Sequence, residues 1–185
     1  MSWKFAGIVF ARSYQDAFRD LVGRLGLPSA RPGVELTFSA ATSRRNQATA
    51  IGIVNGRTLV LDHLLPYDCA YEPDRDGPLD ERLRSLSLGG DVLNFICDGV
   101  SGTYCFSLFR QGRRIRQWAG EPGRVTCDEG QPLPAEAQLP AADTDAGVDA
   151  PCAGEDRLFA VWEAFLGVSF EDLVADARPL LTRFD

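Results

Sequence analysis

The chain carries one histidine, His63. A Cys–His or Ser–His mechanism would have to use it as the base, because imidazole exchanges a proton near neutral pH. Its neighbour Asp62 is a poor orienter, since consecutive strand residues point to opposite faces. Cys69 and nearby carboxylates are the other partners available for a dispersed site around His63. No GxSxG, HExxH or catalytic-cysteine signature accompanies it. The reading is a turn or strand-end histidine, with an enzyme built around His63 as the alternative.

Two charge constellations stand beside it. Asp62, Asp68, Glu72, Asp74, Asp76, Asp80 and Glu81 crowd one stretch. Asp74-x-Asp76 looks like the start of a calcium loop, but Pro78 falls inside the loop and no glutamate closes it in register. Zinc spacing is missing as well, so no metal and no cofactor is expected. The stretch reads as a solvated acidic loop and as the first candidate surface for a basic partner. Arg110, Arg113, Arg114 and Arg116 flank one hairpin. Like charges facing each other across strands destabilise a hairpin unless solvated or paired. Either these arginines pair with an acidic segment further on, or they form a site for an anion or small acidic molecule. The glycines follow neither the P-loop nor the dinucleotide-binding pattern.

Charge placement narrows the classes. The net charge is −7, yet residues 121–156 hold nine acids against Arg124 alone, which leaves the remainder at +1. Nucleic acid is a poor partner for such a chain, because phosphates demand clustered lysine and arginine. No apolar run approaches the roughly 20 residues of a membrane helix. The five cysteines are odd in number and contain no CxxC pair. With an opening segment that does not read as a signal peptide, they predict free thiols in a reducing, cytoplasmic setting.

The elements that must position these residues follow from periodicity. Residues 3–11 predict a buried strand, and Ser13 an N-cap for a helix over 13–26, ended by Gly26 and Pro28. Residues 34–40 predict a strand. Strands 49–54 and 58–62 are joined by Asn55-Gly56, a strong hairpin signal. Pro78, Asp80 and Glu81 open a short helix stopped by Gly89 and Gly90. Strands 91–97, 103–110 and 113–119 form an antiparallel meander, with 125–128 as a short additional segment. Residues 135–154 read as an acidic, Pro/Ala/Gly-rich linker, because they offer too little apolar surface to offset ordering entropy. Two helices close the chain within 155–185. The sum is one α+β domain: a core over 1–134, the linker, and C-terminal helices packing back. An antiparallel sheet of five to seven strands is expected to carry the N- and C-terminal helices on one face. Trp3, Trp118 and Trp162 are candidate core residues.

Three stretches, IGIVNGRTLVLD, GRRIRQWAGEPG with EGQPLPAE, and EDRLFAVWEAFLGVSFED, occur in this order. The order resembles small bacterial α+β immunity or accessory proteins that accompany secreted antibacterial toxins. The resemblance implies a non-catalytic, cytoplasmic protein that binds a toxin, one with a basic cleft. It carries no catalytic motif and transfers no site residue.

Overall fold

Most strands of this chain are apolar on both faces, which demands cover on both sides of a sheet. The computed structural model describes residues 3–27, 31–43, 48–66, 77–137, 139, 153–178 and 180–184. In β1 (Lys4–Phe10) six successive residues are buried. Phe5 and Val9 enter one hydrophobic cluster, while Ile8 and Phe10 enter another on the opposite face.

β1 sits inside a nine-stranded sheet. The other strands are β2 (Pro32–Leu36), β3 (Thr49–Val54), β4 (Arg57–Leu61), β5 (Val92–Asp98), β6 (Thr103–Arg110), β7 (Arg113–Glu121), β8 (Arg124–Gly130) and β9 (Leu181–Phe184). Their spatial order is β2-β9-β3-β4-β1-β5-β6-β7-β8, with every pairing antiparallel. Asn55 and Gly56 turn the β3–β4 hairpin with φ of 49° and 74°, the left-handed pair that matches strand twist.

The first face is covered by α2 (Phe38–Ala41), α4 (Ala153–Leu166) and α5 (Phe170–Ala175). Aromatic contacts fill this layer. Phe170 stacks on Phe5 with centroids 5.1 Å apart, and Trp162 meets Phe95 edge-on at 4.9 Å. The second face is covered by α1 (Phe18–Arg24) and α3 (Pro78–Leu86), which pack Leu21, Val22, Leu79, Leu83 and Leu86 onto Ile8, Phe10, Val60, Val92 and Phe109.

The α+β class with an antiparallel sheet stands as read from the sequence, and the sheet is larger than expected. The N- and C-terminal helices lie on opposite faces, not one, because strands buried on both sides need a layer each. Residues 34–40 do not form one strand. β2 ends at Leu36, and Thr37 caps α2 by accepting a hydrogen bond from the Ala40 amide at 3.1 Å. Ser13 is not a helix cap either. α1 begins at Phe18, and Tyr14 is buried beside Phe10. β9 is an addition. It enters between β2 and β3, where Gly52 lets it approach: a Cβ at that position would lie 1.9 Å from the Leu180 carbonyl oxygen. Trp118 and Trp162 are core residues, and Trp3 is partly buried against Phe170.

Candidate functional site

The acidic stretch divides on inspection. Asp68, Glu72, Asp74 and Asp76 lie outside the described residues, as does Cys69. Asp80 is fully buried in the first turn of α3, where it accepts from the Gly77 amide and pairs with Arg114 at 3.1 Å. It is therefore a structural carboxylate and not part of a docking surface. Asp62 is half-buried. It accepts from Thr49 Oγ1 at 2.6 Å and from the amides of Leu64 and Leu65 at 2.9 Å, so it shapes the turn after β4. Glu81 is exposed. His63 and Asp62 share the edge of a small cleft with Phe5, Ala6, Ala41, Ala48 and Leu61.

The four hairpin arginines separate. Arg110 forms a two-pronged bond to Asp91 at 3.0 and 2.5 Å. Arg113 is exposed. Arg114 and Arg116 would share a face by alternation, but the β6–β7 register slips at Leu108/Phe109. Ile115 is the extra residue of this bulge. It sends Arg114 to the second face and Arg116 into the first.

Arg116 is the centre of a buried network. Its Nε and Nη2 donate to the two oxygens of Glu136 at 2.9 and 2.7 Å, and its Nη1 reaches Asp128 at 2.5 Å. Glu136 also accepts from Arg157 of α4 at 2.8 Å and from the Leu133 amide at 2.8 Å. Burial pushes the Glu136 carboxyl up, but the arginine and amide hydrogen bonds outweigh it and leave it below the usual glutamate range. Arg157 stands over the Trp118 ring at 5.1 Å. The network thus ties β7, β8, the 3-10 turn Pro134–Glu136 and α4 together. Sequence composition placed Glu136 in a linker. The local signal was Leu133-Pro134 followed by Glu136, a helix-start pattern in a segment otherwise poor in structure.

Charge is distributed by layer. α4 and α5 contain Glu155, Asp156, Glu163, Glu171 and Asp172 against one cation, Arg157, which is buried and turned inward. Asp156, Glu163, Glu171 and Asp172 are exposed, and no described arginine or lysine pairs with them. On the second face, α1 and α3 carry Arg19, Arg24, Arg82 and Arg84 against Asp20, Asp80 and Glu81. The sheet therefore separates an acidic layer from a nearly balanced one.

Thiol chemistry is suppressed at the described cysteines. Cys97, Cys105 and Cys127 are buried and free. Burial raises all three, Cys105 to about 12, which leaves almost no thiolate at neutral pH. Among the described residues, no group of three or more His, Cys, Asp or Glu side chains is placed to hold a metal ion. No described helix is long and apolar enough to cross a membrane.

One constellation escaped the sequence. Asn94, Ser107 and Gln117 pair in register across β5, β6 and β7 on the second face, each with no exposure at all. Among the described residues, Asn94 Oδ1, Ser107 Oγ and both terminal atoms of Gln117 have no hydrogen-bond partner. An unmatched buried polar group costs about 1–3 kcal/mol. Its signal was a polar residue inside each of the three meander strands, aligned by the turns at 99–102 and 111–112.

No protein-family model, curated protein or solved structure matches the chain.

Proposed function

We propose that the protein is a non-catalytic binding module that docks onto a basic protein partner in the cytoplasm, as an immunity protein docks onto its toxin. The observation that carries this reading is the acidic outer surface of the α4–α5 layer, where Asp156, Glu163, Glu171 and Asp172 are exposed and pair with no described arginine or lysine. Such a surface accelerates encounter with a basic cleft and disfavours nucleic acid as a partner. The rigid sheet and the buried Arg116–Glu136–Arg157 network supply the preorganised scaffold that tight binding needs. Asp62–Glu81 is the less favoured face, since Asp80 is buried and Asp62 is engaged within its own turn.

The test is co-purification with the product of a neighbouring toxin gene, followed by association kinetics. The triple variant Asp156→Lys, Glu163→Lys, Glu171→Lys should slow association by about tenfold at low salt, with the gap closing as salt is added. A complex indifferent to these reversals would remove the α4–α5 surface from the reading. The lack of any nanomolar complex with the neighbour would remove the immunity role.

A further inference from the structure

The end of the sheet where β1 finishes and β6 turns into β7 carries an apolar knob among arginines. The 3-10 turn Ser87–Gly89 follows α3 and holds Leu88 in solvent at 73% exposure. Its backbone is pinned. The Gly112 amide of the β6–β7 turn donates to Ser87 Oγ at 3.0 Å, and that hydroxyl donates to the Arg84 carbonyl at 2.8 Å. Leu88 rests against this turn, since a Cβ on Gly112 would stand 3.3 Å from Leu88 Cδ2. A side chain held in this way loses little freedom on docking.

Arginines surround the knob. Arg12 fills the space that a side chain on Gly89 would need, and the Tyr14 hydroxyl and ring hold its guanidinium. Arg113 is exposed on the strand that leaves Gly112, and Arg110 stands opposite it in the register. Asp91 neutralises Arg110, while Arg12 and Arg113 pair with no described carboxylate. This end is therefore locally positive on a chain whose net charge is −7.

The same chain presents the complementary relief on the outer side of α4. Asp156, Ala160, Glu163 and Ala164 recur at spacings of three and four, which places them on one stripe of the helix. Asp156, Glu163 and Ala164 are exposed, and Ala160 is half-buried. The two alanines leave a shallow hollow beside two carboxylates set about 10 Å apart along the helix axis. A leucine suits the hollow, and two arginines suit the carboxylates. We infer that a second copy of this chain docks its Leu88 knob onto α4, with Arg12 and Arg113 facing Asp156 and Glu163. The two patches differ, so the contact is head-to-tail and each copy of a pair keeps one patch free. Repulsion between the net charges is screened beyond about 8 Å at physiological salt, which leaves the close pairs to decide. Both this contact and the proposed toxin contact use the α4–α5 layer, so a second copy and a basic partner exclude each other. Self-association itself does not depend on that partner.

The experiment is sedimentation equilibrium of the full chain at physiological salt. The weight-average mass should rise above 20.2 kDa as concentration increases. Leu88→Asp with Arg113→Glu removes the knob, and Asp156→Lys with Glu163→Lys removes its receptor; all four positions are exposed. Each double variant alone should stay at the monomer mass. Mixed, the two should form a one-to-one pair and nothing larger, since the first keeps the hollow and the second keeps the knob. That complementation would also show that both variants fold. A wild-type chain that stays monomeric at every concentration, a rise in mass that survives either double variant, or a mixture that stays monomeric would overturn the proposal. The readout is mass without any toxin present, so failure here and failure of the toxin reading are told apart.

Discussion

Glu136 holds Arg116 through both carboxylate oxygens, at 2.9 and 2.7 Å, and neither side chain has any exposure. The pair joins the turn after β8 to the middle of β7. Arg157 joins the same carboxylate from α4. Removing one partner from such a pair strands the others, whereas replacing all of them with apolar groups need not destabilise.

Glu136→Gln should therefore lower stability by about 3–5 kcal/mol in urea unfolding, because it leaves two buried arginines short of a counter-charge. The triple variant Arg116→Met, Glu136→Leu, Arg157→Met should recover most of that loss. A single variant within experimental error of wild type would show that the network is not under strain when broken.

The same carboxylate sets a pH dependence. Its folded value lies below the ordinary 4.5, so its contribution is complete above that value and fades as pH falls through the depressed folded value. Wild-type stability should thus drop on the acid side of pH 4.5, and Glu136→Gln should show a shallower acid limb. Parallel limbs in pH-resolved urea melts would contradict this assignment.

Gly52→Ala should separate β9 from β3, because the new methyl would fall 1.9 Å from the Leu180 carbonyl oxygen, a backbone atom that cannot swing away. The expected cost is about 3 kcal/mol, at the upper end of the overpacking range. Hydrogen exchange at Ile51 and Leu181 should report early loss of protection there.

Cys97 and Cys105 should resist thiol reagents in the native state. Both are buried and raised well above the usual thiol range. With Cys69 and Cys152 changed to serine, neither Cys97 nor Cys105 should label at pH 8 until denaturant is added, as read by mass spectrometry of the modified peptides. Rapid native labelling of Cys97 would show that α4 lifts from the sheet.

The meander was the most legible part of the chain. Asp98–Gly102 and Gln111-Gly112 announce their turns, and residues 92–121 alternate or run apolar at strand length. Asn55-Gly56 announced the other hairpin for the same reason. What escaped depends on partners distant in sequence. Leu181–Phe184 is short and unremarkable alone, and it becomes a strand only between β2 and β3. Thr37 breaks the alternating, strand-like pattern of residues 34–40 because its hydroxyl caps a helix, a choice periodicity does not reveal. Arg114 and Arg116 look like neighbours until the bulge at Ile115 parts them. The acidity of residues 121–156 was legible as a total. Its division into buried Glu136, paired Asp128 and outward Asp156 was not, since burial is a property of the assembled layers.

The place of β9 between β2 and β3 has a consequence for biosynthesis. Among the described strands β2 pairs with β9 alone, so the segment emerging near residue 32 from the ribosome has no described strand to join until residues 181–184 follow it. The meander can zip as it is made, whereas the far edge must wait, exposed to chaperones and proteases, until residues 181–184 are synthesised. Ribosome-stalled chains ending before residue 181 should therefore carry a protected β5–β8 half and a cleavable segment at residues 31–43.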